Sequence, residues 1–122
     1  MIDILIAEDE PAILESLNFI LGRCGWIVDS VRDGEEALDA VRRHKPRLLL
    51  LDIMLPKRSG LDVLKSMRAD PRLNHIPVLI LTARGQQHDR QLAQELKADS
   101  FVTKPYSNEE VIREVRRLLD RG

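Results

Sequence analysis

Short apolar runs alternate with stretches of helical period along the whole chain of 122 residues. The runs Ile4–Ala7, 48–51 and 77–81 are continuously apolar, which is typical of strands buried on both faces. The mixed segment 26–31 and the short run 100–102 predict two less buried strands. The pattern therefore predicts five strands, each followed by a helix.

The segments between the predicted strands have the sequence features of helices. The first helix is predicted to begin at Pro11, because proline is favoured at the first helical position. The segments 33–36 and 107–110 have the capping-box pattern that starts the second and fifth helices. The third helix is predicted over Gly60–Ala69 and the fourth over roughly 88–96.

This alternation predicts an α/β fold, a doubly wound parallel sheet with helices on both faces. The first, third and fourth strands belong in the centre because they are continuously apolar, and the other two belong at the edges. The strand order 2-1-3-4-5 satisfies this ranking with right-handed crossovers. We find no linker in the sequence, so residues 1–122 are predicted to form one domain.

Composition narrows the functional class. The formal net charge of −1 argues against direct nucleic-acid binding through a broad basic surface. Cys24 is the only cysteine, which excludes an internal disulfide and favours a reducing compartment. The start of the chain carries Asp3 where a secretory signal would be basic, and no apolar run approaches the length of a membrane span. We therefore expect a soluble, cytoplasmic protein without a membrane partner.

Polar side chains follow the predicted strands. Glu8 and Asp9 follow the first strand, Asp52 the third, Thr82 the fourth and Lys104 the fifth. The carboxyl ends of these strands meet at one edge of the sheet, where the winding direction reverses. Carboxylates about 4–6 Å apart repel by about 1–4 kcal/mol per pair, so their convergence predicts a bound cation.

Magnesium is the cation that these donors favour, because it prefers oxygen ligands and retains several waters. We predict Asp9 and Asp52 as direct ligands and Glu8 as a ligand either directly or through a water. Met54, two residues after Asp52, has no side-chain oxygen and can contribute only its backbone carbonyl. The three histidines lie outside this set, which disfavours zinc.

A magnesium ion beside a carboxylate suggests phosphoryl chemistry. The carboxylate of Asp52 can attack a phosphorus whose oxygens are neutralised by the metal and by the ammonium of Lys104. Thr82 offers a hydrogen-bond donor to a phosphoryl oxygen. In this interpretation the protein supplies positioning and charge neutralisation, and the phosphoryl group comes from another molecule.

These residues resemble the response-regulator receiver domains of two-component signalling. The matching stretches, IAEDEP, LDIMLP with Gly60, LTA and TKPY, occupy 6–11, 51–56, 81–83 and 103–106. The resemblance implies a flavodoxin-like (βα)5 fold, a magnesium requirement and phosphorylation of Asp52. The donor it implies is a phospho-histidine on a sensor kinase or phosphotransfer protein. It also implies no turnover beyond the domain's own phosphorylation and dephosphorylation.

The resemblance further implies a conformational switch. The hydroxyl of Thr82 would move toward the phosphoryl group, and Phe101 would turn inward behind it. Phenylalanine replaces the more usual tyrosine, so the hydrogen bond of that hydroxyl is missing; a plain core role for Phe101 is the alternative. The fourth helix, fifth strand and fifth helix would form the partner face, including a phosphorylation-dependent homodimer. The alternative for the charged fifth helix is a solvated surface.

Four features of the sequence bear on local geometry or on phosphoryl lifetime in this resemblance. Lys97 replaces a usual glycine, so it must adopt a left-handed conformation or end the fourth helix differently. The bond Lys104-Pro105 is often cis in relatives, whereas sequence alone favours trans. Met54 and Arg84 occupy positions that tune the lifetime of the phosphoryl group in the family.

Three alternatives differ in class. A phosphatase or mutase of the haloacid-dehalogenase type would need a second aspartate where Met54 stands. A degenerate receiver would act as a scaffold without phosphorylation, although every pocket residue is present. A mononucleotide- or flavin-binding protein would need a glycine-rich phosphate loop, and Glu8, Asp9 and Glu10 occupy its place.

Overall fold

The computed structural model of the chain describes residues 1–83 and 86–120, and these residues form five strands and five helices in strict alternation. The strands are β1 (Ile4–Ala7), β2 (Val28–Val31), β3 (Leu48–Asp52), β4 (Val78–Thr82) and β5 (Ser100–Thr103). The helices are α1 (Pro11–Arg23), α2 (Gly34–His44), α3 (Gly60–Ala69), α4 (Gln87–Glu95) and α5 (Asn108–Asp120). The predicted order of elements is confirmed, with small shifts at several boundaries.

The strands form one parallel sheet in the order β2-β1-β3-β4-β5, which confirms the prediction. Ala7 of β1 is aligned with Leu51 of β3, so the residues that follow these two strands lie side by side. Thr82 at the end of β4 is aligned with Thr103 at the end of β5. The register therefore brings the predicted polar residues to one edge of the sheet.

Two apolar clusters pack on opposite faces of the sheet. Leu49 and Leu51 of β3 join a cluster with residues of α2, α3 and α4. Leu48 and Leu50 point the other way and join a cluster with residues of α1 and α5. All four leucines are fully buried, which explains why the central strands cannot alternate with polar residues.

Side-chain caps start three of the helices. Asp33 accepts a hydrogen bond from the backbone N–H of Glu36 at 2.8 Å, as the capping-box pattern predicts for α2. Ser107 accepts from the backbone N–H of Glu110 at 3.1 Å and caps α5. Ser59 caps α3 in the same way, which the sequence analysis did not predict. These bonds satisfy backbone donors that have no partner inside a helix.

Lys97 has a φ of 68°, so the first of the two predicted alternatives holds, and a side chain accepts the left-handed conformation usually given to glycine. The bond Lys104-Pro105 is cis. Arg84 lies outside the described residues. Among the described helices, none combines the length and the apolar character needed to cross a membrane.

Candidate functional site

Three carboxylates meet where the carboxyl ends of β1 and β3 adjoin. Carboxylate oxygens of Glu8, Asp9 and Asp52 lie within 4.8 Å of one another. Glu8 is fully buried and Asp52 is 4% exposed, whereas Asp9 is on the more exposed side of the group. The structure thus brings together the acids that the sequence predicted would converge.

Backbone N–H groups fix the orientation of the two buried acids. Oε2 of Glu8 accepts a hydrogen bond from the N–H of Glu10 at 3.1 Å. Oδ1 of Asp52 accepts from the N–H of Met54 at 3.2 Å. Each carboxylate is therefore held by the loop that follows its own strand, and its second oxygen is directed elsewhere.

The ammonium of Lys104 binds both second oxygens. Its Nζ lies 3.0 Å from Oε1 of Glu8 and 3.3 Å from Oδ2 of Asp52. Burial alone would lower the pKa of Lys104, but the charge of Asp52 and the hydrogen bond to Glu8 outweigh it and raise the pKa. Lys104 is consequently protonated at neutral pH and forms an ion pair with two acids, a contact that the sequence analysis did not foresee.

The site keeps an excess of negative charge despite this lysine. Burial raises the pKa of Glu8 to about 7, and the neighbouring charge of Asp52 acts in the same direction. Burial also raises the pKa of Tyr106 to about 12, with Glu8 and Asp52 adding to the effect. The single ammonium contacts two of the three carboxyl groups, and a divalent cation suits the remaining charge.

The donor set fits magnesium. Its side-chain donors are carboxylate oxygens, and magnesium takes one or two carboxylates together with waters and phosphate oxygens. The peptide of Met54 lies beside Asp52, to which its N–H is bonded, while its side chain is 63% exposed. The thioether of Met54 offers no oxygen ligand, so only the backbone at this position could contact the cation.

Thr82 pairs with a hydroxyl that the sequence analysis missed. Its Oγ1 donates to Oγ1 of Thr103 at 3.3 Å, and its backbone carbonyl accepts from the N–H of Lys104 at 2.7 Å. Thr82 is only 2% exposed. The alignment of Thr82 with Thr103 at adjacent strand ends was the signal that could have revealed this pair.

Residues 4–116 match the family model described as "Response regulator receiver domain". The chain belongs to this family. Receiver domains act in two-component signalling by magnesium-dependent phosphoryl transfer, and histidine kinases phosphorylate them.

Individual relatives agree with this assignment. The alkaline phosphatase synthesis transcriptional regulatory protein PhoP of Bacillus subtilis is 42% identical over 119 residues, covering 98% of this chain and 49% of the relative. The sensory transduction protein RegX3 of Mycolicibacterium smegmatis is 42% identical over 122 residues, covering 100% of this chain and 52% of the relative. The receiver domain thus spans about half the length of these curated relatives.

A solved structure supports the same fold. It is the receiver domain of the sensor histidine kinase PA1611 from Pseudomonas aeruginosa, with a TM-score of 0.88 and 27% sequence identity. The match covers 96% of each chain, and that structure holds a magnesium ion coordinated in its active site cleft.

The position of Phe101 in this receiver domain is compatible with both of its predicted roles, as a switch residue and as a core residue. It is partly buried and packs against the core cluster formed with α2, α3 and α4. The guanidinium of Arg90 on α4 lies 4.8 Å from the centre of its ring. Tyr106 is partly buried and packs against the opposite cluster.

Gly60 allows α3 to approach β3, the strand that ends at Asp52. A Cβ at this position would overlap the backbone carbonyl oxygen of Asp52 and lie 2.8 Å from Cα of Ile53. The N–H of Gly60 donates to the carbonyl of Ile53 at 2.9 Å. A larger residue would therefore displace the backbone that carries Asp52.

Proposed function

We propose that Asp52 is the phosphoacceptor of this receiver domain and takes its phosphoryl group from a phospho-histidine of a sensor kinase or phosphotransfer protein. The observation that carries the proposal is the convergence of Glu8, Asp9 and Asp52 within 4.8 Å, with the Lys104 ammonium bound to two of them. The chain would catalyse only its own phosphorylation and dephosphorylation.

Magnesium is the cofactor in this proposal. Asp9 and Asp52 would hold it directly, with Glu8 acting directly or through a water and Met54 contributing its backbone carbonyl. When bound, the ion neutralises charge on the phosphoryl oxygens. The donor set described above supports this assignment, since it offers carboxylate oxygens and carries excess negative charge.

The side chains of the site have separate roles in the transfer. Met54 N–H holds Oδ1 of Asp52, so Oδ2, which faces Lys104, is the oxygen that would attack. The new bond from this oxygen to phosphorus forms as the bond from phosphorus to the donor imidazole breaks. Lys104 would then bind a phosphoryl oxygen in place of the free carboxylate oxygen.

A conformational change would follow from Thr82. Its hydroxyl would leave Thr103 and donate to a phosphoryl oxygen, and Phe101 would turn toward the space behind it. Because Phe101 also contacts Arg90 on α4, its movement would alter the surface formed by α4, β5 and α5. We place the partner interface on this surface, including homodimer formation after phosphorylation.

Residues 1–122 would constitute one receiver domain in the cytoplasm, where its single cysteine stays reduced. Transcriptional regulation is the named role of PhoP of Bacillus subtilis. With a net charge of −1, this domain would influence such an output through another segment or partner rather than through its own contacts to nucleic acid.

Phosphorylation by a small donor tests the proposal. Purified protein incubated with Mg2+ and acetyl phosphate should gain the mass of one phosphoryl group, and Asp52→Asn should gain none. Asp39→Asn, on the exposed side of α2, is the matched control and should behave like the wild type. Chelation of Mg2+ should abolish the gain.

Two results would reject this assignment. Labelling of Asp52→Asn to the wild-type level would place the acceptor elsewhere. Hydrolysis of a phosphoester over many cycles per site would instead favour a phosphatase.

A further inference from the structure

The start of α2 is bonded to the loop that follows Asp52, through contacts that we call the α2 clip. It joins residues 33–35 to residues 56–58. The N–H of Gly34 donates to the carbonyl of Pro56 at 3.1 Å. Two ion pairs flank this bond, from Lys57 Nζ to Asp33 Oδ2 at 3.6 Å and from Arg58 Nε to Glu35 Oε1 at 3.1 Å.

Gly34 is needed in the α2 clip for space. A Cβ at this position would overlap the backbone carbonyl oxygen of Arg58 and lie 2.7 Å from Arg58 Cβ. A backbone carbonyl cannot move aside as a flexible side chain can, so any substitution must separate α2 from the loop. Gly22 of α1 offers a contrast, because a Cβ there would meet nothing within 4 Å.

The loop 53–59, which the α2 clip holds, is also fixed at both of its ends. At one end Met54 N–H is bonded to Asp52, and at the other Gly60 N–H is bonded to the carbonyl of Ile53. Lys57, in the middle, has a φ of 67°, a left-handed conformation that a lysine adopts only under constraint from its surroundings. A displacement at Pro56 would therefore be transmitted to the peptide of Met54.

We propose that Gly34 is a positioning residue for the divalent cation, because the α2 clip holds the Met54 peptide in place against the Asp52 carboxylate. The inference rests on the proposed magnesium-dependent function, and it adds a requirement on α2, which contributes no ligand. Gly34 acts through the loop and touches none of the predicted ligands' carboxylates.

Magnesium affinity of glycine variants tests this inference. Mg2+ is titrated calorimetrically into metal-free wild type, Gly34→Ala and Gly22→Ala, with urea unfolding of each protein measured alongside. We expect Gly34→Ala to bind Mg2+ at least about fivefold more weakly, the lower end of typical coupling between sites. Gly22→Ala should bind like the wild type. A folded Gly34→Ala with wild-type affinity would overturn the inference alone, whereas a wild type that binds no Mg2+ would overturn the proposed function with it.

Amide hydrogen exchange gives a second test that needs no variant. Coupling is reciprocal, so an ion held by the clipped loop must in turn stabilise the bond from Gly34 N–H to Pro56. At a Mg2+ concentration ten times Kd, exchange of the Gly34 amide should slow about fourfold if the open clip binds the ion fivefold more weakly, and about tenfold if it binds none. The Gly25 amide, bonded to Gly22 in a turn, is the reference and should change little. Equal effects on the two amides would refute the coupling.

Discussion

Replacing Arg68 with methionine should destabilise the fold strongly, because its guanidinium joins three separate segments. Arg68 lies on α3 and donates to the backbone carbonyls of Asn74 at 3.3 Å and Ile76 at 2.9 Å. Two of its nitrogens donate to the carbonyl of Lys97, at 3.2 and 3.1 Å. Its Nη2 also lies 3.0 Å from Oδ2 of Asp99. One side chain thereby holds α3, the approach to β4 and the segment before β5.

The expected loss follows from these contacts and their exposure. A hydrogen bond to a charged group contributes about 1.5–3 kcal/mol, and removing one partner of a buried ion pair costs about 3–5 kcal/mol. The Arg68 side chain is 14% exposed and Asp99 23%, so water can replace part of what is lost. Asp99 also keeps its bond from the N–H of Val78. We therefore expect Arg68→Met to lower the free energy of unfolding by about 2–4 kcal/mol.

Urea unfolding followed by circular dichroism measures this loss, and Arg72→Met is the matched control. Arg72 forms an ion pair of the same 3.0 Å length with Asp70, but its side chain is 71% exposed. An exposed pair contributes about 0.2–1 kcal/mol, so the control should remain close to the wild type. The two variants change net charge equally. A loss for Arg68→Met no larger than that of Arg72→Met would refute the reasoning.

Two smaller effects test the α2 cap and the contact over Phe101. The hydrogen bond from the backbone N–H of Glu36 holds the pKa of Asp33 below its usual 3.8. The ionised acid therefore stabilises the fold above pH 3.8, and this contribution disappears as the pH falls through the lower pKa of the folded state. Asp33→Asn keeps the cap but removes the titrating group. In urea unfolding from pH 2 to 7, the variant should lose less free energy of unfolding at acid pH than the wild type, and an unchanged pH dependence would contradict this. Arg90→Ala and Phe101→Leu, combined in a double-mutant cycle of unfolding free energies, should couple by about 0.5–1 kcal/mol, and additive effects would contradict a direct contact.

The central sheet could be predicted because burial on both faces leaves little choice of residue. Each of the four leucines of 48–51 faces one of two apolar clusters, so all had to be apolar. The edge strand β2 was harder to predict. Residues 26–31 were predicted as a strand, but β2 begins at Val28. Trp26 instead lies beside the guanidinium of Arg116, and Ile27 is 59% exposed. A strand with one neighbour tolerates polar and exposed positions, which weakens its signal.

The positions of the site residues could be predicted from the sequence, but their hydrogen-bond and ion-pair partners could not. Parallel topology brings strand ends together, and this was sufficient to place Glu8, Asp9 and Asp52 in one group. Which oxygen binds which donor depends on loop geometry and on the reach of long side chains. The bond from Lys104 to Glu8 joins residues 96 positions apart and leaves no periodic pattern. The same is true of Arg68 and of the α2 clip, whose contacts join loops rather than repeating elements.

The sheet fixes the backbone positions of Glu8 and Asp52, which limits how far the acids of the site can move apart. Glu8 directly follows β1, whose four residues are fully buried, and Asp52 ends the equally buried β3. Separating the backbone of the two residues would require breaking the register between these strands, and with it the core on both faces of the sheet. Lys104 relieves only part of the repulsion, since burial and the charge of Asp52 still raise the pKa of Glu8. A rigid apolar sheet therefore holds an under-neutralised group of oxygens in place, and in the proposed function an incoming cation and a phosphoryl group would meet a site that is already assembled.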